Sequence, residues 1–191
     1  MKLSVDRVTE TPTDHDYTAD AEWWQRWTGA GEDYGYTVTD WPRFRVRACA
    51  RGEQIALEGN VEAAIDVECS RCLKRYRQGV EGSFEVTLEP IRDRRPPDPE
   101  GLEMLDQFGL YLGDELDVGW YRGKEIMVDP LLAEATALAM PFQPVCRESC
   151  AGLCPQCGVD RNQASCDCSD QRPESPFAAL AVLRKDSKGR S

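Results

Sequence analysis

Eight of the nine cysteines in this 191-residue chain stand in two groups whose spacing suits a metal ion. The first is Cys69-Ser70-Arg71-Cys72. The second runs from Cys146 to Cys168 and contains Cys154-Pro155-Gln156-Cys157-Gly158. A C-x-x-C turn aims two sulfurs at one ion, and four thiolates complete the tetrahedron that zinc favours. Gly158 lets the backbone fold back beneath the sulfurs. Cys166 and Cys168 lie one loop further on. Cys154, Cys157, Cys166 and Cys168 therefore read as a local zinc site that needs no other part of the fold. Cys69, Cys72, Cys146 and Cys150 make a second set of four, far apart in sequence. An ion there would clamp a turn to a remote segment and constrain the unfolded chain. The rival partition is one mixed site, Cys69 and Cys72 with Cys154 and Cys157. Two structural zinc ions are expected, because all-cysteine coordination is normally closed. Iron is the competing occupant of such sites. Cys49 is left over and reads as a buried free thiol.

Other cysteine chemistry fits less well. Cys150, Cys154 and Cys157 match the C-x-x-x-C-x-x-C spacing of radical-SAM enzymes, but that motif normally comes early in a barrel. A thioredoxin-like pair would be followed by a helix, whereas Leu73-Lys74-Arg75-Tyr76-Arg77-Gln78-Gly79 leads from Cys72 into a strand. The single histidine, His15, lies in an acidic stretch and reads as a surface residue without a role. No nucleophile motif, phosphate-cradling glycine loop or open metal site is visible, so no enzyme activity and no small-molecule substrate are expected.

The elements that must position the cysteines can be read from periodicity. Arginines alternate with smaller or apolar residues in Arg43-Phe44-Arg45-Val46-Arg47-Ala48, the period of a half-buried strand. Ile55 and Leu57 mark a short second strand between Gly52 and Gly59. Val61, Ala63, Ile65, Val67 and Cys69 mark a long third strand running into the first cysteine pair. Phe84, Val86 and Leu88 mark a fourth, which places Cys69 to Cys72 at a β-hairpin turn. With no helix-sized crossovers, the sheet reads as antiparallel. Pro90 to Pro99 reads as extended or disordered, and the next thirty residues are ambiguous. Asp129 is a candidate N-cap and Pro130 a first helical residue. Leu132, Ala135, Leu138 and Ala139 then form an apolar stripe, and Pro141 stops the helix. Ser175-Pro176 opens a second short helix packed by Phe177, Leu180 and Leu183. Trp23 and Trp27 share one face of a short helix, and with Trp24 they read as packing on the core; a partner-binding patch is the alternative. The expected fold is α+β: an antiparallel sheet with few helices and a cysteine-rich, zinc-binding C-terminal module. The divisions are an acidic, irregular segment 1–40, a β-rich core 41–144 with a helix at 129–140, and a zinc-knuckle module with a C-terminal helix at 145–191.

Composition narrows the function classes. The net charge is −11, which disfavours non-specific nucleic-acid binding. Basic residues nevertheless cluster. Arg43, Arg45 and Arg47 share one strand face, and Arg71, Lys74 and Arg75 surround the hairpin turn. Both clusters are candidate RNA or partner contacts, with a solvated face of scattered ion pairs as the bland alternative. The sequence shows no membrane-length apolar run and no apolar stretch in Met1 to Glu10, so a cytoplasmic protein with reduced cysteines is expected.

The flanking residues carry a resemblance. Val67-Glu68-Cys69-Ser70-Arg71-Cys72-Leu73 resembles the C-x-R-C-L signature of the bacterial YceD family, the large ribosomal RNA subunit accumulation proteins. Cys150-Ala151-Gly152-Leu153-Cys154-Pro155-Gln156-Cys157-Gly158 is similar to its C-x-G-L-C-P-x-C-G signature. Asn162 and Phe177-Ala178-Ala179-Leu180-Ala181-Val182-Leu183 also look like that family. The similarity runs from about Val61 to Leu183. It implies a non-enzymatic role in ribosome assembly or rRNA accumulation. The implied partner is large-subunit ribosomal RNA or its precursor, or a basic large-subunit ribosomal protein. Some relatives lack the later cysteines while keeping the first pair, which favours two separate sites over the mixed one. A redox- or zinc-responsive regulator is the alternative function.

Overall fold

A computed structural model describes residues 1–28, 35–113 and 118–168. It is an α+β fold. The strands are β1 (Lys2–Ser4), β2 (Thr13–Thr18), β3 (Tyr36–Arg51), β4 (Gln54–Glu68), β5 (Arg75–Pro90), β6 (Leu110–Leu112), β7 (Val118–Tyr121) and β8 (Glu125–Met127). The helices among the described residues are α1 (Ala21–Thr28), α2 (Pro99–Phe108) and α3 (Asp129–Ala139). A six-stranded sheet runs in the order β2-β3-β4-β5-β7-β6, and β1 pairs with β8 in a two-stranded sheet. Among the described residues all strand pairings are antiparallel except β5 with β7, which run parallel.

The long hairpins β3-β4-β5 follow from alternation. Phe44, Val46 and Ala48 are buried, while Arg43, Arg45 and Arg47 between them are exposed. The inner face meets Ile55, Leu57, Val61, Val86 and Leu88. Leu131 and Leu132 of α3 and Trp23 and Trp24 of α1 belong to the same core. The tryptophans therefore pack inward: Trp23 stacks at a tilt on Phe44 and Trp27 on Phe108, with ring centroids 5.6 and 5.1 Å apart.

Several expectations are corrected. The segment 1–40, read as irregular, holds β1, β2 and α1; the alternating acids of β2 are the outer-face partners of the β3 arginines. Gly59 does not divide two strands but lies inside β4. A Cβ there would sit 2.5 Å from the Arg45 carbonyl oxygen and 2.7 Å from Phe84 Cζ, so glycine is required by close approach rather than by a turn. Asp129 is not a cap. Its buried carboxylate accepts from Trp23 Nε1 at 2.8 Å and pairs with the Met1 amino group, and Val128 takes the cap position without a side-chain bond. Leu138 of the expected apolar stripe is 74% exposed, because α3 turns that flank away from the sheet. Cys49 is free but only half-buried, its sulfur 3.2 Å from the Glu10 carbonyl oxygen. The ambiguous stretch after Pro99 forms α2, whose N-cap Asp98 accepts from Gly101 N–H, and then β6 and β7. The expected helix after Ser175 lies outside the described residues.

Candidate metal centres

The β4-β5 hairpin carries the first cysteine pair at its tip. Glu68 pairs with Arg75 as the last rung. The turn closes through Cys69 N–H to the Lys74 carbonyl at 3.0 Å and Leu73 N–H to the Cys69 carbonyl at 2.9 Å. Past α3 the chain returns to this tip. Ser70 N–H donates to the Pro144 carbonyl at 2.8 Å, and Arg71 Nη1 donates to the carbonyls of Glu148 and Cys150 at 3.0 and 3.1 Å. These bonds bring Cys146 and Cys150 over Cys69 and Cys72. The Cys69–Cys150 and Cys72–Cys146 sulfurs stand 3.9 and 3.8 Å apart, and all four lie within 4.8 Å of one another. A tetrahedral ion with ~2.3 Å metal–sulfur bonds spaces its sulfurs about 3.8 Å apart. Cys69, Cys72 and Cys150 are buried, packed by Tyr76, Val145 and Leu153.

The second group is assembled locally. Cys154 N–H donates to the Val159 carbonyl at 2.8 Å and Gly158 N–H to the Cys154 carbonyl at 2.9 Å, with Gly158 at φ +74°. That left-handed residue curls the chain under the sulfurs. Asp160 fixes the following turn, its Oδ1 accepting from Asn162 N–H at 2.9 Å. Cys154, Cys157, Cys166 and Cys168 then bring their sulfurs within 4.8 Å of one another. Cys154 is buried and Cys157 exposed. The structure thus brings together the two fours, and the mixed set is split between them.

The thiols within each group differ in acidity. Burial raises Cys69, but N–H donation from Cys146, Cys72 and Arg71 outweighs it and holds the thiol at about 6. N–H groups of Cys157 and Gln156 hold Cys154 at about 6. Burial, then hydrogen bonding to Cys69, pushes Cys146 up to about 12. Hydrogen bonding to Cys157, then burial, does the same to Cys168. Each group therefore has one thiolate favoured by backbone donors, beside thiols that resist a further negative charge: Cys146 in the first group and Cys168 in the second. A divalent ion would remove that conflict by binding all four as thiolates. The donor sets fit a four-coordinate, thiophilic ion and leave no open position.

The basic candidates are largely engaged. Arg45 pairs with Asp16 at 3.4 Å, Arg47 with Asp14 at 2.8 Å and Glu58 at 3.5 Å, and Arg43 with Glu62 at 4.0 Å. Arg71 is used on the carbonyls of the first group's loop, and Arg75 Nη2 reaches the Asp66 carbonyl at 3.4 Å. Lys74 is exposed. Arg147 and Asp160, which hold the loops around the sulfurs, were not singled out by sequence. Polar residues in a cysteine-rich loop carry no periodic signal.

Comparison with known proteins now fits the geometry. The sequence model described as "Large ribosomal RNA subunit accumulation protein YceD" matches residues 57–184, two thirds of the chain. The chain belongs to the YceD family. It is 31% identical over 115 residues to an uncharacterized protein of Mycobacterium tuberculosis (strain ATCC 25618 / H37Rv), covering 60% of this chain and 48% of that protein. It is 22% identical over 170 residues to the large ribosomal RNA subunit accumulation protein YCED homolog 1, chloroplastic, of Arabidopsis thaliana, covering 78% and 51%. The Zea mays protein of the same name is 28% identical over 149 residues, covering 70% and 50%. The chain spans about half the length of the curated relatives it matches. No solved structure matches it. Among the described residues, no helix is long and apolar enough to cross a membrane. The YceD match starts inside β4 and takes in both cysteine groups.

Proposed function

We propose that this YceD-family protein promotes accumulation of large-subunit ribosomal RNA as a binding factor without catalysis, holding one structural zinc ion in each four-cysteine group. The observation that carries this reading is the closure of both groups. Four thiols surround each centre, so an ion has no position left for water or substrate. Zinc is the ion best matched to sulfur-only tetrahedra in a reducing compartment.

The partner that the charges favour is a basic ribosomal protein of the large subunit. The chain carries a net charge of −11, and Arg43, Arg45 and Arg47 of β3 already face Asp14, Asp16, Glu58 and Glu62. Such a face offers little unpaired positive charge to phosphates, whereas an acidic body attracts a cationic partner. The test is capture of the tagged, zinc-loaded protein from lysate with and without nuclease. Retention of a large-subunit protein after complete RNA digestion is expected. Loss of every ribosomal component on digestion would assign the contact to RNA instead.

A further inference from the structure

Asn162 stands in the loop between Cys157 and Cys166 of the second group, yet its side chain reaches the first. Its Nδ2 donates to the Cys150 sulfur at 3.5 Å and to Asp160 Oδ1 at 2.6 Å. Its Oδ1 accepts from Ala151 N–H at 2.8 Å and from Arg147 Nη2 at 2.9 Å. The neighbours fix the amide's orientation. A backbone N–H and a guanidinium only donate, and a carboxylate and a thiolate only accept. Further bonds cross the same seam: Leu153 N–H donates to the Arg71 carbonyl and Arg161 N–H to the Gly152 carbonyl, both at 2.9 Å. Gly152, at φ +71°, lies so close that a Cβ would sit 2.9 Å from the Arg71 oxygen.

We infer that Asn162 is a positioning residue that couples the two four-cysteine groups, so that an ion in one raises the affinity of the other. The inference rests on the reading that both groups hold zinc. An ion on Cys157 and Cys166 fixes the loop that carries Asn162. The amide is then held against Cys150, where its N–H orients a ligand sulfur and disperses the surplus negative charge of a four-sulfur centre. The coupling is reciprocal, because linkage gives each ion the same factor on the other. Order comes from loop length. The ligands of the second group span only Cys154 to Cys168, whereas Cys72 and Cys146 are 74 positions apart, so the local group closes at lower entropic cost and fills first.

The experiment is stepwise zinc affinity of the full, reduced chain by chelator competition. It compares wild type, Asn162→Ala and Asn162→Asp, each also in a Cys69→Ser/Cys72→Ser background that reports the second group alone. Asn162→Ala is expected to leave the first uptake step unchanged and to weaken the second about 10–100-fold, as loss of an outer-shell partner does. Asn162→Asp keeps an acceptor for Ala151 and Arg147 but puts a carboxylate beside Cys150, and is expected to weaken the second step at least as much. In the serine background Asn162→Ala should leave zinc affinity within about twofold, which also shows that the module still folds. Unchanged second steps in both variants would overturn the coupling. So would equal weakening in the serine background, which would confine Asn162 to its own loop. A wild-type chain holding fewer than two ions would instead refute the zinc reading itself.

Discussion

Removing one metal centre at a time should cost unequal stability, because the two groups close loops of very different length. In the first group, Cys72 and Cys146 are 74 positions apart. Treated as a simple cross-link, that closure removes unfolded-chain entropy equivalent to about 4.4 kcal/mol at 25 °C. In the second group, the widest gap is Cys157 to Cys166, and the same relation gives about 2.6 kcal/mol. Coupling through Asn162 is lost whichever centre is removed, so it cancels in the comparison. Cys69→Ser/Cys72→Ser should therefore lower the unfolding free energy about 2 kcal/mol more than Cys154→Ser/Cys157→Ser. The assay is urea unfolding at saturating zinc, followed by the fluorescence of Trp23 and Trp24, both buried in the sheet core. Native-state hydrogen exchange should add that the second variant loosens mainly residues 150–168, while the first also loosens the β4-β5 tip. Equal costs, or loosening of the same segments in both, would refute the division into a long-range clamp and a local knuckle.

Gly59→Ala should cost about 1–3 kcal/mol in urea unfolding, since its Cβ would meet the Arg45 carbonyl at 2.5 Å. Asp129→Ala should cost about 1–3 kcal/mol by the same measurement, because it strips the buried Trp23 indole N–H of its acceptor. Arg47 holds the Asp14 carboxyl below its ordinary 3.8. Its contribution is thus present above that value and lost as pH falls through the depressed one. Arg47→Met should return Asp14 toward 3.8 in an NMR titration. Arg45→Gln should leave capture of ribosomal components unchanged, because Arg45 is already paired with Asp16.

Much of the centre of the fold is legible in the sequence because period-two alternation and C-x-x-C spacing are local signals. Arg43 to Ala48 fixes a strand face, and the run from Val61 into Cys69 places the first pair at a hairpin tip. What escapes is long-range. Gly59 looks like punctuation until β3 and Phe84 are packed against it. Asp129 looks like a cap until folding brings Trp23 to its carboxylate. The acids of β2 look like an unstructured charge run until the β3 arginines lie opposite them. The cysteine partition is intermediate: spacing proposes both fours, but only the bonds from Arg71 to the Glu148 and Cys150 carbonyls explain how residues so far apart meet. Asn162 stands out by resemblance alone, and its contact with Cys150 is a property of the folded seam.

X-ray absorption of the purified, reduced protein, with metal counted per chain, tests the central claim most directly. Two zinc ions are expected, each with four sulfurs at about 2.3 Å and no lighter ligand. One ion or none per chain, or oxygen or nitrogen in the coordination shell, would contradict two closed structural centres.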